Sequence, residues 1–193
     1  MLTQSKNLRL TSGLLLACWW GLTAASTLES VTFEVHDNQY QYRFSARLEA
    51  PVDAVRAVVT DIERLTRIND HITSSRVLFY YQDGSYRRQL RLIECVLVFC
   101  FKIDFVERVV LQTNGDIHTT IIPGAGNFRD GETLWEIVAL PDGATRIVMS
   151  ATQRPDFWIP PVLGPLLLKR ALVSEVVETM TKIEQIAHAA SLL

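Results

Sequence analysis

The sequence predicts an α+β fold in which an antiparallel sheet, built mostly as a meander, is closed by one long C-terminal helix. Three observations carry this. Between Ile72 and Arg154, six runs alternate apolar and polar residues at period two, and glycine-containing turns separate most of them. Two short helical stretches stand after the opening strands, between Pro51 and Ile68. From about Pro165 to Ala190, apolar residues recur at the spacing of one helix face.

With 193 residues, 48% of them hydrophobic and 21% charged, the chain suits one domain with a sizeable core. A formal net charge of -2 and the lack of any Lys/Arg run argue against a nucleic-acid partner.

Residues 1–26 are set aside from the fold. Lys6 stands just before, and Arg9 near the start of, an acid-free stretch, LRLTSGLLLACWWGLTAAS, that ends in small residues, the pattern of a secretory signal peptide cleaved near Ala25 or Ser26. Two alternatives stand beside it. One is a retained N-terminal membrane anchor, for which the stretch is short. The other is a bacterial lipoprotein joined through Cys18, where Leu16 and Trp19 fit the pattern poorly. A domain over residues 28–193, exported to the periplasm, is the expectation. Beyond the leader two cysteines remain, Cys95 and Cys100, and an even count in an oxidising compartment leads us to expect a disulfide. C-x4-C without further clustered ligands is a poor metal site, so no metal is expected.

The elements follow in order. VTFEV and YQYRFSARL flank a turn at DNQ, and the second run places Tyr40, Tyr42, Phe44, Ala46 and Leu48 on one face. Pro51 opens a helix with Val52, Val55 and Val59 on one side, and Asp61 is expected to cap a second short helix. The six runs of the meander are ITSSRVLFYY, SYRRQLRLIEC, FCFKIDFVERVVLQT, DIHTTIIP, FRDGETLWEIVAL and ATRIVMSATQR. The apolar segment that follows, RPDFWIPPVLGPLLLKRALV, is broken by Pro155, Pro160, Pro161, Gly164 and Pro165 and stopped by Lys169 and Arg170. It reads as a rigid approach to the last helix rather than a membrane span.

Register can be tested within the second hairpin of the meander. If Cys95 stands opposite Cys100, then Arg91 meets Asp104, Arg88 meets Glu107, Leu90 meets Phe105 and Leu92 meets Ile103; Arg87 opposite Arg108 is the one unfavourable pair. Leu90, Leu92, Phe99, Phe101, Ile103 and Phe105 then share the buried face, and the cysteines face away from it.

This order of elements resembles the helix-grip fold of the START-like superfamily, also called SRPBCC, which includes polyketide cyclase/dehydrase-like and coenzyme Q-binding proteins. The resemblance covers about Val31 to Ala190 and rests on LEAPVDAVRAVVTDIERLTRINDHITSSRVL and on FWIPPVLGPLLLKR before the last helix. It implies a curved antiparallel sheet wrapped around the long C-terminal helix, with a cavity between them. Phe157, Trp158 and Ile159 would then stand near the cavity mouth, where they either seal the core or touch lipid.

Catalytic signatures are sparse: there is no G-x-S-x-G, no H-E-x-x-H and no P-loop, and His36, His71, His118 and His188 are scattered. Pairing around Asn114-Gly115 sets His118 opposite Leu111, either lining the cavity or bonded to a backbone carbonyl. Arg88 and Glu107 either hold a ligand head group, serve proton transfer, or form a partly wet ion pair. On the last helix Val173, Val176, Met180, Ile183 and Ala187 form one apolar arc with Lys169 near its middle, so Lys169 either snorkels to water or meets an anionic ligand group. The expected function is binding of a hydrophobic small molecule such as a lipid, quinone or polyketide-like compound by Lys169, Arg88, Glu107, Leu90, Phe105, His118, Phe157, Trp158, Val173 and Met180. No catalytic residue is assigned and no cofactor is expected. The alternatives are a cyclase/dehydrase-type enzyme and a non-catalytic structural or interaction protein. A monomer is expected, with transient membrane contact.

Overall fold

A computed structural model describes residues 26–160 and 163–191. The expected leader, with Lys6, Arg9 and Cys18, lies outside the described residues apart from Ser26, and so does Pro161. Eight strands form one antiparallel sheet: β1 (Thr27–His36), β2 (Gln39–Leu48), β3 (Ile72–Tyr80), β4 (Tyr86–Val96), β5 (Phe99–Leu111), β6 (Ile117–Ile121), β7 (Phe128–Ala139) and β8 (Thr145–Pro155). Their spatial order is β1-β2-β8-β7-β6-β5-β4-β3, so β3 to β8 are the six-stranded meander and β2 closes on β8. Helix α1 (Val52–Val59) and a 3-10 helix (Ile62–Arg67) carry the chain from β2 to the far edge at β3. The long helix α2 (Pro165–Ser191) is held by the curved sheet, which is the helix-grip arrangement. No helix among the described residues is long and apolar enough to cross a membrane.

Turn chemistry sets the registers. Three hairpins close through the same three-residue loop, in which Tyr81, Gln112 and Leu140 each donate N–H to the carbonyl four residues on, at 2.8 Å in all three. A glycine ends each loop in the left-handed region, as Gly115 does at φ 88°, and the preceding Asp83, Asn114 or Asp142 side chain accepts the N–H two residues later. The Asn114-Gly115 turn therefore contains three residues, not two, and His118 pairs with Val110 rather than Leu111. A slip of one residue turns a side chain to the other face. His118 accordingly leaves the expected cavity face and lies 4.0 Å from Glu132 on the outer side.

The β4–β5 hairpin has the expected register throughout, from Arg88 opposite Glu107 to Cys95 opposite Cys100. The Arg87–Arg108 pair is relieved because Arg108 bonds Asp83 and lies over the Tyr81 ring, 4.7 Å from its centre. Cys95 and Cys100 are joined, S–S 2.07 Å, on the exposed side of the sheet. Peptide mapping of protein recovered from an oxidising compartment is expected to yield one linked Cys95–Cys100 fragment, and recovery of both thiols free would contradict it. So short a loop gains less than the ~3 kcal/mol of a 15-residue one, so Cys95→Ser with Cys100→Ser should retain the fold.

The core occupies one end of the grip. Val55, Val58 and Val59 of α1 meet Val176, Met180, Ile183 and Ala187 of α2 over Phe44, Ala46, Leu48, Ile137 and Ile147 of the sheet. α1 starts after Pro51, whose extended backbone (φ -63°, ψ 143°) removes no helical hydrogen bond. Asp61 occupies the cap position of the 3-10 helix but makes no capping bond; its carboxylate pairs instead with Arg64 and Arg67. Glu184, 2% exposed inside the core, accepts the Glu49 backbone N–H at 2.6 Å and ties α2 to the end of β2.

Candidate functional site

The C-terminal half of α2 packs tightly, whereas its N-terminal half stands off the sheet and leaves a cavity of about 340 Å³. Alternation along β4 and β5 supplies most of the wall: Leu90, Leu92 and Val96 from one strand, Phe101, Ile103 and Phe105 from the other. Trp135, Met149 and Phe128 extend it across the sheet, and Leu168, Ala171 and Leu172 of α2 form the opposite side. Phe157 closes one end, its ring 5.6 Å from Phe101 and 6.1 Å from Phe128.

Of the residues expected at the site, Arg88, Glu107, Leu90, Phe105 and Phe157 line this cavity. The others do not. His118 is on the outer face for the turn reason given above. Trp158 points outward, 72% exposed, because the extended chain after β8 sends Phe157 and Ile159 inward and the residue between them away. Met180 belongs to the core, and Val173 and Lys169 are half-buried on the flank of α2. The cavity instead receives Leu168, Leu172 and Glu175, which places the cavity-facing line of the helix one residue away from Lys169 and Val173. Lys169 is not among the residues that line the cavity, and among the described residues no carboxylate pairs with its ammonium, so of its two expected placements the half-buried flank is the one it occupies. One residue of helical phase, about 100°, is enough to move a side chain from seam to flank.

Two groups of charged side chains sit in this mostly apolar wall. The Arg88 guanidinium binds Glu107 Oε1 through Nε at 2.9 Å and through Nη2, and the side chains are 12% and 5% exposed. The expected partly wet ion pair is therefore a buried one.

The second group was not anticipated. Glu94 lies one pleat beyond Leu92, opposite Phe101, so the alternation that turns Leu90 and Leu92 inward turns Glu94 inward as well. Its Oε2 lies 2.8 Å from His71 Nδ1, in the segment just before β3, and Glu175 of α2 shares the cavity wall with it. Glu175 Oε1 accepts a bond from Asn69 Nδ2 at 2.7 Å. Burial, with the Glu175 charge added, pushes Glu94 up to about 7 against the opposing pull of His71. Burial lowers His71, but the charge and hydrogen bond of Glu94, reinforced by Glu175 and Glu178, raise it on balance. Tyr42 also lines the cavity; burial, then Glu175, Glu107 and Glu94, raises its phenol well above the ordinary range. Among the described residues no group of His, Cys, Asp and Glu is arranged to hold a metal ion.

Comparison with known proteins agrees with this architecture. A structure from Thermus thermophilus superposes with a TM-score of 0.64 at 19% identity, covering 78% of this chain and 99% of its own. A START superfamily protein from Mycobacterium smegmatis gives 0.59 at 20% identity, covering 78% and 98%. The Zhui aromatase/cyclase of a Streptomyces species gives 0.63 at 15% identity, covering 78% and 94%. No curated protein matches the sequence. Residues 48–180, from the end of β2 to Met180 near the middle of α2, match the family described as polyketide cyclase / dehydrase and lipid transport, and the chain belongs to that family.

Proposed function

We propose that the chain binds a hydrophobic small molecule, such as a lipid, quinone or polyketide-like compound, between its sheet and α2, and carries it as a monomer in the periplasm after export directed by residues 1–26. The observation that supports this is the apolar cavity of about 340 Å³, near the small end of the roughly 300–1,000 Å³ common for ligand sites. A wall of leucine, isoleucine, phenylalanine and methionine favours an apolar ligand by about 25 cal/mol per Å² removed from water, while few polar groups fix its orientation. Leu97 and Val98 at the tip of the β4–β5 hairpin, with Trp158 beside Phe157, form an exposed apolar lip near Val96 and Phe101, which supports transient contact with a lipid surface during loading.

The test has two arms. Mass spectrometry of organic extracts of the purified chain is expected to find a co-purifying apolar compound. The uncharged dye Nile red should bind the stripped protein, and Ala171→Trp, which fills the cavity from the α2 side, should weaken that binding about tenfold while the circular dichroism spectrum is unchanged. Equal binding by the variant would place the ligand elsewhere. Empty extracts together with no dye binding would favour a structural or interaction role.

A second reading, a cyclase/dehydrase-type enzyme, is favoured by one observation: Glu94, Glu175 and His71 converge at the cavity wall, and a carboxyl group near neutrality is suited to general acid–base work. Turnover of a polyketide-like substrate that is lost in Glu94→Gln would support it.

A further inference from the structure

We infer that the cavity selects an apolar ligand whose polar end donates hydrogen bonds and carries no negative charge, with the carboxyl groups of Glu94 and Glu175 as the selecting residues. This rests on the cavity-binding reading above.

The argument is a balance of charge and of hydrogen-bonding capacity. Arg88 is the one cation on the described cavity wall, and its charge is taken by Glu107. Glu94 and Glu175 remain, both on the cavity wall and close enough that the Glu175 charge, after burial, raises Glu94. The neighbouring donors are already used: Asn69 Nδ2 is bonded to Glu175 Oε1, and His71 Nδ1 lies against Glu94 Oε2. What the pair offers a ligand is therefore oxygen lone pairs. Tyr42, whose hydroxyl bonds to no described residue, adds a group that can accept as well as donate. A ligand carboxylate or phosphate would sit among Glu94, Glu175 and Glu107 with no free cation to meet it, in surroundings too dry to screen the repulsion. A hydroxyl or ammonium group would find acceptors.

The effect should vary with pH. The charged and titratable groups around Glu94 are His71 ahead of β3, Tyr42 of β2, Glu107 of β5, and Glu175 and Glu178 of α2. As pH rises through about 7, where Glu94 loses its proton, the cavity becomes more negative, so an anion is excluded more strongly and an ammonium is held more tightly.

The probes are decylamine, 1-decanol and decanoate, which share a chain and differ in the polar end. Each is measured by displacement of Nile red from the full chain. Decylamine and decanol are expected to bind at least about tenfold more tightly than decanoate at about pH 8, with the gap narrowing towards about pH 6. Glu94→Gln with Glu175→Gln, isosteric and checked by thermal melting, should bring decanoate to within about threefold of decanol. Glu178→Gln, one turn along α2 and half exposed, should leave the discrimination intact. Decanoate binding as tightly as decanol in the parent, or discrimination that persists in the double variant, would overturn the inference and leave the cavity reading standing. Failure of all three probes to displace the dye would overturn the cavity reading, and this inference with it.

Discussion

Arg88→Met alone is expected to destabilise the protein by about 3–5 kcal/mol, whereas Arg88→Met combined with Glu107→Leu should return it to within about 1 kcal/mol of the parent. Glu107 is 4% exposed, and the guanidinium of Arg88 is its partner on the cavity wall. Removing the arginine leaves a carboxylate that must either remain charged in an apolar surround or take up a proton, and both cost free energy. Removing both groups eliminates two desolvation penalties together with their mutual attraction, and the methionine and leucine fill similar volume beside Leu90 and Phe105. Urea denaturation of the four members of the cycle, on protein stripped of ligand, measures the coupling. If the single and double variants lose the same stability, the pair is a net stabiliser rather than a mutual compensation. If Arg88→Met costs less than about 1 kcal/mol, water reaches Glu107 from the cavity and the wall is wetter than its packing implies.

Gly126→Ala is expected to cost several kcal/mol, on the order of 3 or more, and to distort the cavity end. An added Cβ would stand 2.1 Å from the Asp104 carbonyl oxygen and 2.6 Å from the Phe105 Cα, and these are backbone atoms of β5 with no freedom to swing aside. Its φ of 147° is also one that side chains rarely adopt. The loop approaches so closely because Asn127 is bonded to β5 on both sides: its N–H donates to the Asp104 carbonyl at 2.7 Å, and its side-chain oxygen accepts the Asp104 N–H at 2.6 Å. Phe105 and Phe128, edge to face at 5.4 Å, flank this contact and line the cavity. Gly124→Ala is the control, since nothing lies within 4 Å of its added Cβ although its φ of 73° carries a modest strain. Thermal melting of the two variants should separate them clearly. A Gly126→Ala protein as stable as Gly124→Ala would mean that β5 yields at Asp104.

The order of elements, the meander and the β4–β5 register were legible in the sequence because each depends on local information. Side chains alternate at period two along a strand, opposed charges at Arg91–Asp104 and Arg88–Glu107 choose between registers, and Pro51 and Pro165 mark helix starts. The same alternation, followed one pleat past Leu92, would also have found Glu94, but a glutamate beside Cys95 reads as part of the polar outer face unless the strand is counted through. His118 was misplaced by a single residue of loop, since Asn-Gly serves both two-residue and three-residue turns and only the closing bond from Gln112 to Asp116 distinguishes them.

What only the tertiary structure decided is the rotation of α2 and the company that its residues keep. A helix of 27 residues presents a continuous apolar pattern whether it packs against a core or spans a void. Its phase is set by α1 and β2 through contacts such as Glu184 with the Glu49 N–H, which span more than a hundred residues of chain. That phase brings Leu168, Leu172 and Glu175 over the cavity and leaves Lys169 on the flank. The Asn69–Glu175–Glu94–His71 cluster likewise joins the junction before β3, an inner position of β4 and one turn of α2. No spacing in the sequence encodes that meeting, because periodicity fixes which face a residue occupies within its own element but not which residues of distant elements that face will meet.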